Sequence, residues 1–395
     1  LMRKGSVNPR AWIAGALVFA GVAASAACTG GQPSGGATTP TAATTASKAA
    51  APAASPAAKA ASPAPAGSPA VATKSASPAA SPRAAAPTGP LKEVKIGWTP
   101  AFVLFPVAVA VDIDEFAQEG LKVTLIDFQG GTEVTSAMLG KRIDIAASQA
   151  ERPMIQYENG QMAKNLMHIQ AAQAYAIVVR KDLNLRPGDW QALKGKRLGM
   201  TRPGSGTDLT LRALLKLNGI DPDHDVQIIG IGDAAQLVAA LEARQLDGAL
   251  GFEPILTQVT ELTPLADFFI DLRKEGPEKL RSVAFTTLQA NTEYIEANPD
   301  VVKGVMRAIA RTQKKIRENP SIAVPTGKKH FSTLSDDALL KIATNEAPTY
   351  HAPITRPAMQ NLLEIQKDAG ILKTDVPFDE VTVGPEFQEL WQLSE

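Results

Sequence analysis

The sequence is poor in the residues that build covalent or metal-linked frameworks. Its 395 residues include one cysteine and four dispersed histidines. A single cysteine excludes an intramolecular disulfide and any zinc site made of several cysteines. The histidines never adopt the spacing of a His-Glu-x-x-His motif, so a histidine-based zinc site is not indicated either. We therefore expect no metal and no cofactor.

Acidic residues are missing from the first ninety positions. The totals of 40 Lys+Arg and 40 Asp+Glu conceal this, because residues 1–90 carry seven basic and no acidic side chains. The other 305 residues carry 33 basic and 40 acidic side chains. An acidic body argues against a nucleic-acid partner, which requires a basic face. It is long enough to form two lobes with buried cores.

The N-terminal segment has the order of an export signal. Basic residues at positions 3, 4 and 10 precede an apolar run from Ala11 to Ala24. That run is too short to cross roughly 30 Å of hydrocarbon as a permanent helix. Small residues follow it, which is typical of a cleaved signal peptide.

The only cysteine lies at the end of this segment, in Ser25-Ala26-Ala27-Cys28. These residues resemble the lipobox of bacterial lipoproteins, although Ser25 stands where that motif usually has leucine. The resemblance implies a signal peptide over 1–27 and a lipid on Cys28, which would anchor the protein to the membrane. A plain signal peptide with an incidental cysteine is the alternative.

Residues 28–90 are almost entirely alanine, proline, serine, threonine and glycine. Such a composition offers too little apolar side-chain area to offset the entropy of ordering. We predict a disordered tether, averaging roughly 45 Å end to end as a flexible coil.

The body alternates strand and helix patterns. Residues 94–97, 123–128 and 143–147 read as strands, and Thr132 is the predicted N-cap of the helix between the last two. Strands are predicted again at 176–179 and 226–229, and residues 193–200 lead into another, with Asp233 capping a later helix. This alternation predicts mostly parallel sheets, whose ligands bind beyond the carboxyl ends of the strands.

Five segments carry a family resemblance, and they occur at 137–146, 193–207, 246–254, 298–303 and 316–320. Their order resembles the type II periplasmic binding proteins of bacterial ABC importers. Within that group they resemble the branch for nitrate, sulfonate, taurine and thiamine-precursor uptake (NMT1/THI5-like). The similarity extends over roughly 94–318.

The resemblance implies an α/β fold of two lobes, each a mixed, mostly parallel sheet flanked by helices. Lobe one would comprise 91–172 plus 283–395, and lobe two 173–282, with two crossover strands as hinge. The implied function is capture of a small molecule between closing lobes and its delivery to an ABC permease and its ATPase. The protein would act outside the cytoplasm, lipid-anchored to the membrane's outer face or periplasmic, as a monomer.

Candidate ligand residues follow the strands or form glycine-rich turns. Gly204-Ser205-Gly206-Thr207 allows backbone N–H groups to approach a ligand at a helix N-terminus, and a helix-capping turn without ligand is its alternative reading. The family's ligand loops and crossings imply further contacts. The remaining candidates are Trp98, Thr99, Thr132, Ser148, Gln149, Tyr175 and Glu253.

The ligand's charge is less defined by the sequence. A cleft-facing Glu253 would repel a purely anionic ligand. The expected ligand is therefore a neutral, zwitterionic or anionic organic compound, with sulfonate and nitrate not favoured over a neutral or zwitterionic heterocycle. No Walker A lysine follows either glycine-rich turn, and Ser205 is not in a Gly-x-Ser-x-Gly elbow. We therefore predict no catalytic residues.

Two other functions remain open at this stage. A ligand-sensing lipoprotein for a membrane signalling partner would use the same cleft. A relative of this fold makes the thiamine pyrimidine with a histidine and a cysteine-rich motif. Residues 91–395 contain no cysteine, which counts against that enzyme.

Overall fold

A computed structural model describes residues 90–395. The predicted signal peptide, Cys28 and the predicted tether up to residue 89 lie outside the described residues. Within 90–395, no helix combines the length and the apolar character that a bilayer crossing requires.

The first sheet has five strands in the order β2-β1-β3-β10-β4. β1, β2 and β3 run parallel, and β10 is antiparallel to both of its neighbours. The strands span Lys92–Trp98 (β1), Leu121–Asp127 (β2), Ile145–Gln149 (β3), Ala163–Gln170 (β4) and Thr286–Asn291 (β10).

The second sheet repeats this arrangement in the order β7-β6-β8-β5-β9, with β5 as the antiparallel strand. Its strands span Ala176–Arg180 (β5), Arg197–Met200 (β6), Gln227–Gly230 (β7), Gly248–Gly251 (β8) and Ala266–Asp271 (β9). The two sheets confirm the predicted two-lobe α/β fold.

Helices flank both sheets. Those of the N-terminal half are α1 (Phe105–Asp112), α2 (Gly131–Leu139), α3 (Arg152–Glu158), α4 (Gly206–Leu217) and α5 (Ala234–Glu242). Two short ones follow, α6 (Ile255–Thr257), which continues as a π-helical turn over Gln258–Leu262, and α7 (Glu278–Arg281). The rest are α8 (Thr292–Ala297), α9 (Pro299–Glu318), α10 (Val324–His330), α11 (Asp336–Glu346), α12 (Arg356–Asp368), α13 (Phe378–Val381) and α14 (Pro385–Gln388).

The chain passes twice from one sheet to the other. It leaves β4 at Gln170 and enters β5 at Ala176, and it returns between Asp271 of β9 and Thr286 of β10. The exact lobe limits proposed from the sequence lie near these passages.

The helix starts show which capping predictions hold. Asp233 accepts a hydrogen bond from the backbone N–H of Gln236 at 2.9 Å, which confirms it as an N-cap. The predicted cap at Thr132 is wrong, because α2 already begins at Gly131 and Gly130 precedes it. A glycine can occupy the cap position without a side-chain bond, and this leaves the Thr132 hydroxyl available for other contacts.

Candidate functional site

Seven of the eleven predicted ligand residues line one cavity between the two lobes. Its volume is about 20 Å³, roughly the room that one water-sized group needs. A ligand of several atoms therefore enters only when the lobes are further apart or side chains turn. The seven residues are Thr99, Ser148, Gln149, Tyr175, Ser205, Gly206 and Thr207.

Two helices begin at this cavity, one from each lobe. Gly131 starts α2 and Gly206 starts α4, and both residues line the cavity. The first N–H groups of a helix have no partner within it, and with the helix dipole they attract negative charge. A Cβ on Gly131 would lie 2.8 Å from Ser148 Oγ, and one on Gly206 would lie 2.4 Å from Gln149 Cγ. Glycine is therefore what allows both backbones this close to the centre.

Three hydroxyls hold the second turn in shape. The oxygens of Thr201, Ser205 and Thr207 lie 2.8 to 2.9 Å from one another, all buried. Ser205 Oγ also accepts from the backbone N–H of Asp208, so it is the N-cap of α4. The alternative reading of this turn as a helix cap is thus correct for the Ser205 side chain, and backbone N–H groups remain as donors to a ligand.

Arg152 is a functional candidate that sequence reasoning missed. It is 7% exposed, and its Nη2 donates to the carbonyl oxygen of Gly204 in the other lobe. Its Nε is buried and has no hydrogen-bond partner within residues 90–395. The Nε lies 3.9 Å from the position of a Cβ on Gly131, which lines the cavity. No sequence pattern distinguished this arginine from a surface charge at the start of α3.

The residue beside Arg152 in the chain is a buried carboxyl. Glu151 precedes it and is 5% exposed. Burial raises the pKa of the Glu151 carboxyl, while the nearby Arg152 charge lowers it.

Two further donors lie around the cavity. Thr99 Oγ1 is buried with no partner among the described residues. Gln149 Nε2 donates to the Tyr175 hydroxyl at 3.1 Å, which joins the end of β3 to the first crossing segment. Burial raises the pKa of Tyr175, so its hydroxyl stays protonated and can donate.

The cavity's rim is joined by contacts across the lobes. Thr132 Oγ1 donates to the carbonyl oxygen of Pro203 at 3.3 Å, and Arg202 Nη1 lies 3.3 Å from Glu133 Oε1. Gly204 has a φ of +72°, a conformation that favours glycine. Neither Thr132 nor Gly204 lines the inner cavity. Both residues instead contribute to the contact between the lobes, Thr132 through Pro203 and Gly204 through Arg152.

Trp98 and Glu253 lie elsewhere. Trp98 is fully buried at the end of β1, and its indole N–H donates to Asp127 Oδ1 at 2.7 Å. Glu253 is 3% exposed and accepts from Arg273 Nη1 at 2.8 Å and from the backbone N–H of Thr257. Neither residue lines the interlobe cavity. Phe252 lines this cavity and Glu253 does not. The objection to an anionic ligand assumed that Glu253 faces the cleft, so it does not hold.

A second, outer cavity of about 430 Å³ adjoins the first, and the two share Thr99, Thr201 and Phe252. His330 and Phe331, at the end of α10, contribute aromatic surface to it. Sequence reasoning missed both, because they come from a helix that follows all the strands of both sheets in the chain. Its other side chains include Asp127, Phe128 and Asp233.

Comparisons with known proteins agree with this architecture. The putative binding protein YtlA of Bacillus subtilis is 23% identical over 301 residues, covering 74% of this chain and 87% of YtlA. The nitrate/nitrite binding protein NrtA of Nostoc is 25% identical over 289 residues, covering 66% of this chain and 63% of NrtA. The alkanesulfonate-binding protein SsuA of Xanthomonas axonopodis, solved with bound MOPS, shares the fold with a TM-score of 0.60 at 18% identity, over 73% of this chain and 96% of SsuA.

The family assignment rests on a sequence match that spans both lobes. The sequence model of the NMT1-like family matches residues 88–324, more than half of the chain. The match includes both glycine-rich turns and the two passages between the sheets. The chain therefore belongs to the NMT1-like family and has the two-lobe fold of the type II periplasmic binding proteins.

Proposed function

We propose that this protein is an extracytoplasmic solute-binding protein of an ABC importer, and that it captures a small molecule bearing a compact anionic group. The bound solute is delivered to the permease and its ATPase. One monomer suffices, because both halves of the cavity come from the same chain.

The observation that carries this proposal is that two helix N-termini and a buried arginine meet at the inner cavity. Two helix N-termini point into it from opposite lobes, and the buried Arg152 lies beside one of them with an unpartnered Nε. A buried cation with an unused donor gains free energy when an anion pairs with it. None of the described residues that line the inner cavity is acidic, and Glu253 is paired with Arg273 outside it. The nearest buried carboxyl is that of Glu151, whose charge acts on both Arg152 and Tyr175.

The relatives support the same class of ligand. NrtA of Nostoc is a nitrate/nitrite binding protein, and SsuA of Xanthomonas axonopodis binds alkanesulfonates. A compact anionic group fits the inner cavity once the lobes open to admit it. A carbon-bearing remainder would extend into the outer cavity, among Phe128, Phe252 and Phe331.

Lobe closure is the proposed mechanism of capture. A ligand held by the N-termini of α2 and α4 contacts both lobes, so it favours the closed arrangement over the open one. Arg152, Thr132 and Arg202 add contacts that form only when the lobes approach each other. Closure then presents one defined surface to the permease.

The proposal is tested by native mass spectrometry of the purified protein, followed by titration with nitrate, bicarbonate and methanesulfonate. We expect a retained small molecule or a saturable rise in melting temperature with at least one anion. Chloride at matched ionic strength is the control. Binding of neutral or cationic compounds alone would contradict the anionic assignment.

We also propose that Cys28 carries the lipid that anchors the protein. Replacing Cys28 with serine removes the thiol to which the lipid is attached. We expect the variant to lack the mass of a diacylglyceryl group that the wild type carries. A wild-type protein without that mass, or a variant that keeps it, would contradict lipidation at this residue.

A further inference from the structure

A third cavity, which we call the hinge pocket, lies against the first crossing segment, whose residues 172–174 line it. Its volume is about 370 Å³, within the usual range for small-molecule sites. Gln170 and Glu346 line it from one lobe, and Glu253 and Arg273 line it from the other. The hinge pocket is separate from the inner cavity, because the two share no lining residue.

The hinge pocket has hydrogen-bond acceptors that lack donors. Gln170 is fully buried, and its Nε2 donates to Glu346 Oε2 at 2.6 Å. Its Oε1 is buried and has no partner in the described part of the chain. The Glu346 carboxylate, 3% exposed, receives a side-chain hydrogen bond from Gln170 alone among these residues.

The cations near the hinge pocket are already engaged. Arg273 donates through Nε and Nη2 to Asp271 and through Nη1 to Glu253. Lys274 pairs with Asp271 at 3.5 Å, and Lys341 pairs with Glu261. Three cations thus face the four carboxylates of Glu253, Glu261, Asp271 and Glu346, and Glu346 is the one without a cationic partner.

Glu346 is also close to changing its charge at neutral pH. The pKa of its carboxyl is raised to about 7, because burial and the Glu253 charge raise it by more than the hydrogen bond from Gln170 and the Arg273 charge lower it. A buried carboxylate without a counter-charge is costly, and a bound cation reduces that cost. No group of three His, Cys, Asp or Glu side chains suited to a metal occurs within residues 90–395, so the expected counter-charge is organic.

We propose that the hinge pocket binds a small organic cation with N–H donors, an ammonium or amidinium group, that bridges the Glu346 carboxylate and Gln170 Oε1. One positive charge balances the excess carboxylate, and two N–H donors satisfy the two open acceptors. Phe268 supplies an aromatic wall for the remainder of the molecule.

This site would regulate capture in the cleft. The hinge pocket is lined by both lobes, so its shape changes when they rotate. A cation that prefers one arrangement shifts the population of that arrangement. The coupling is reciprocal, so the cation changes anion affinity by the same factor as the anion changes cation affinity.

The test uses ethylammonium and acetamidinium chloride at pH 8, with sodium chloride at matched ionic strength and no anion other than chloride. We expect a saturable rise in melting temperature with a dissociation constant of about 1 mM or below. Glu346→Gln should weaken this response about tenfold or more, since it removes the counter-charge. Glu364→Gln, which removes an exposed carboxylate paired with Lys279, is the matched control and should respond as the wild type does.

Several results would overturn the proposal. These are no saturable response to either cation in the wild type, an equal response in Glu346→Gln, or an equal response to sodium or calcium chloride. If Glu346→Gln does not fold by circular dichroism, Gln170→Met removes the open acceptor while keeping the volume, and unchanged binding in that variant would count against the site. The measurement omits the cleft anions, so its failure leaves the proposed transport function untouched.

Discussion

Replacing Arg152 with glutamine is expected to weaken binding of the cleft anion by about 100-fold or more, which corresponds to roughly 3 kcal/mol. The guanidinium is buried beside the N-terminus of α2, so its attraction for an anion is weakly screened by solvent. Glutamine keeps a donor and most of the length but removes the charge. Isothermal titration with the anion identified for the wild type provides the affinity.

The matched control is Arg202→Gln at the rim. The Arg202 side chain is 37% exposed and pairs with Glu133, which is 40% exposed, although its Nε, like that of Arg152, is buried without a partner among the described residues. Exposed pairs contribute about 0–1 kcal/mol, so this variant should lose less than about fivefold in affinity. An unchanged affinity in Arg152→Gln, or equal losses in the two variants, would contradict the assignment of Arg152.

Arg152 also joins the lobes through Gly204, and this second role can be separated from anion binding. If the arginine acts only as a latch, Arg152→Lys should close as poorly as Arg152→Gln does. If it pairs with the anion, the lysine variant should recover part of the affinity because it keeps the charge. Small-angle scattering with and without the anion reports the lobe separation in each variant.

The sequence predicted the fold because the relevant signals are local. Strand and helix periodicity, and the spacing of Gly204 and Gly206 before α4, depend on neighbouring residues. The turn at 204–207 was placed at the cavity for this reason. Crossing points near residues 172 and 283 came from the family resemblance, since the strand pattern alone does not show where the chain changes sheets.

The parts that were missed depend on burial and on distant segments. Arg152 and Glu253 are both charged residues near a strand end or helix start. Tertiary packing alone directs Arg152 towards the interlobe cavity and Glu253 towards Arg273. Trp98 illustrates the same point, because its indole reaches Asp127 on the neighbouring strand. A one-residue difference in where a strand ends turns such a side chain from cleft to core.

The same burial gives Glu346 a large expected effect on stability. The pKa of Glu346 is about 7 in the folded protein, against 4.5 for the free group. Between these two pH values the folded state holds a proton that the unfolded state has lost, so the free energy of unfolding falls as pH rises. Above about pH 7 the full penalty is present, and it is about 3 kcal/mol at most.

Glu346→Gln should therefore melt at a higher temperature than the wild type at pH 8, by roughly 5 °C. At pH 4 the carboxyl is mostly protonated in both the folded and the unfolded wild type, and the two proteins should melt at similar temperatures. Differential scanning calorimetry between pH 4 and 8, in buffers without organic amines, measures this difference. The groups that face Glu346 are Glu253, Asp271, Arg273 and Tyr350, and all four are retained in the variant.

His168 titrates in the same range with the opposite sign, so the difference between the two proteins is the informative quantity. Burial lowers the pKa of His168 to about 4, and its contribution to stability therefore increases as pH rises towards 6.5. This contribution is common to both proteins and cancels in the difference. A difference in melting temperature that is independent of pH would show that glutamine acts through packing and not through the charge of Glu346. A difference in melting temperature that grows from pH 5 to 8 is the result expected when ionisation of the buried Glu346 carboxyl destabilises the folded state.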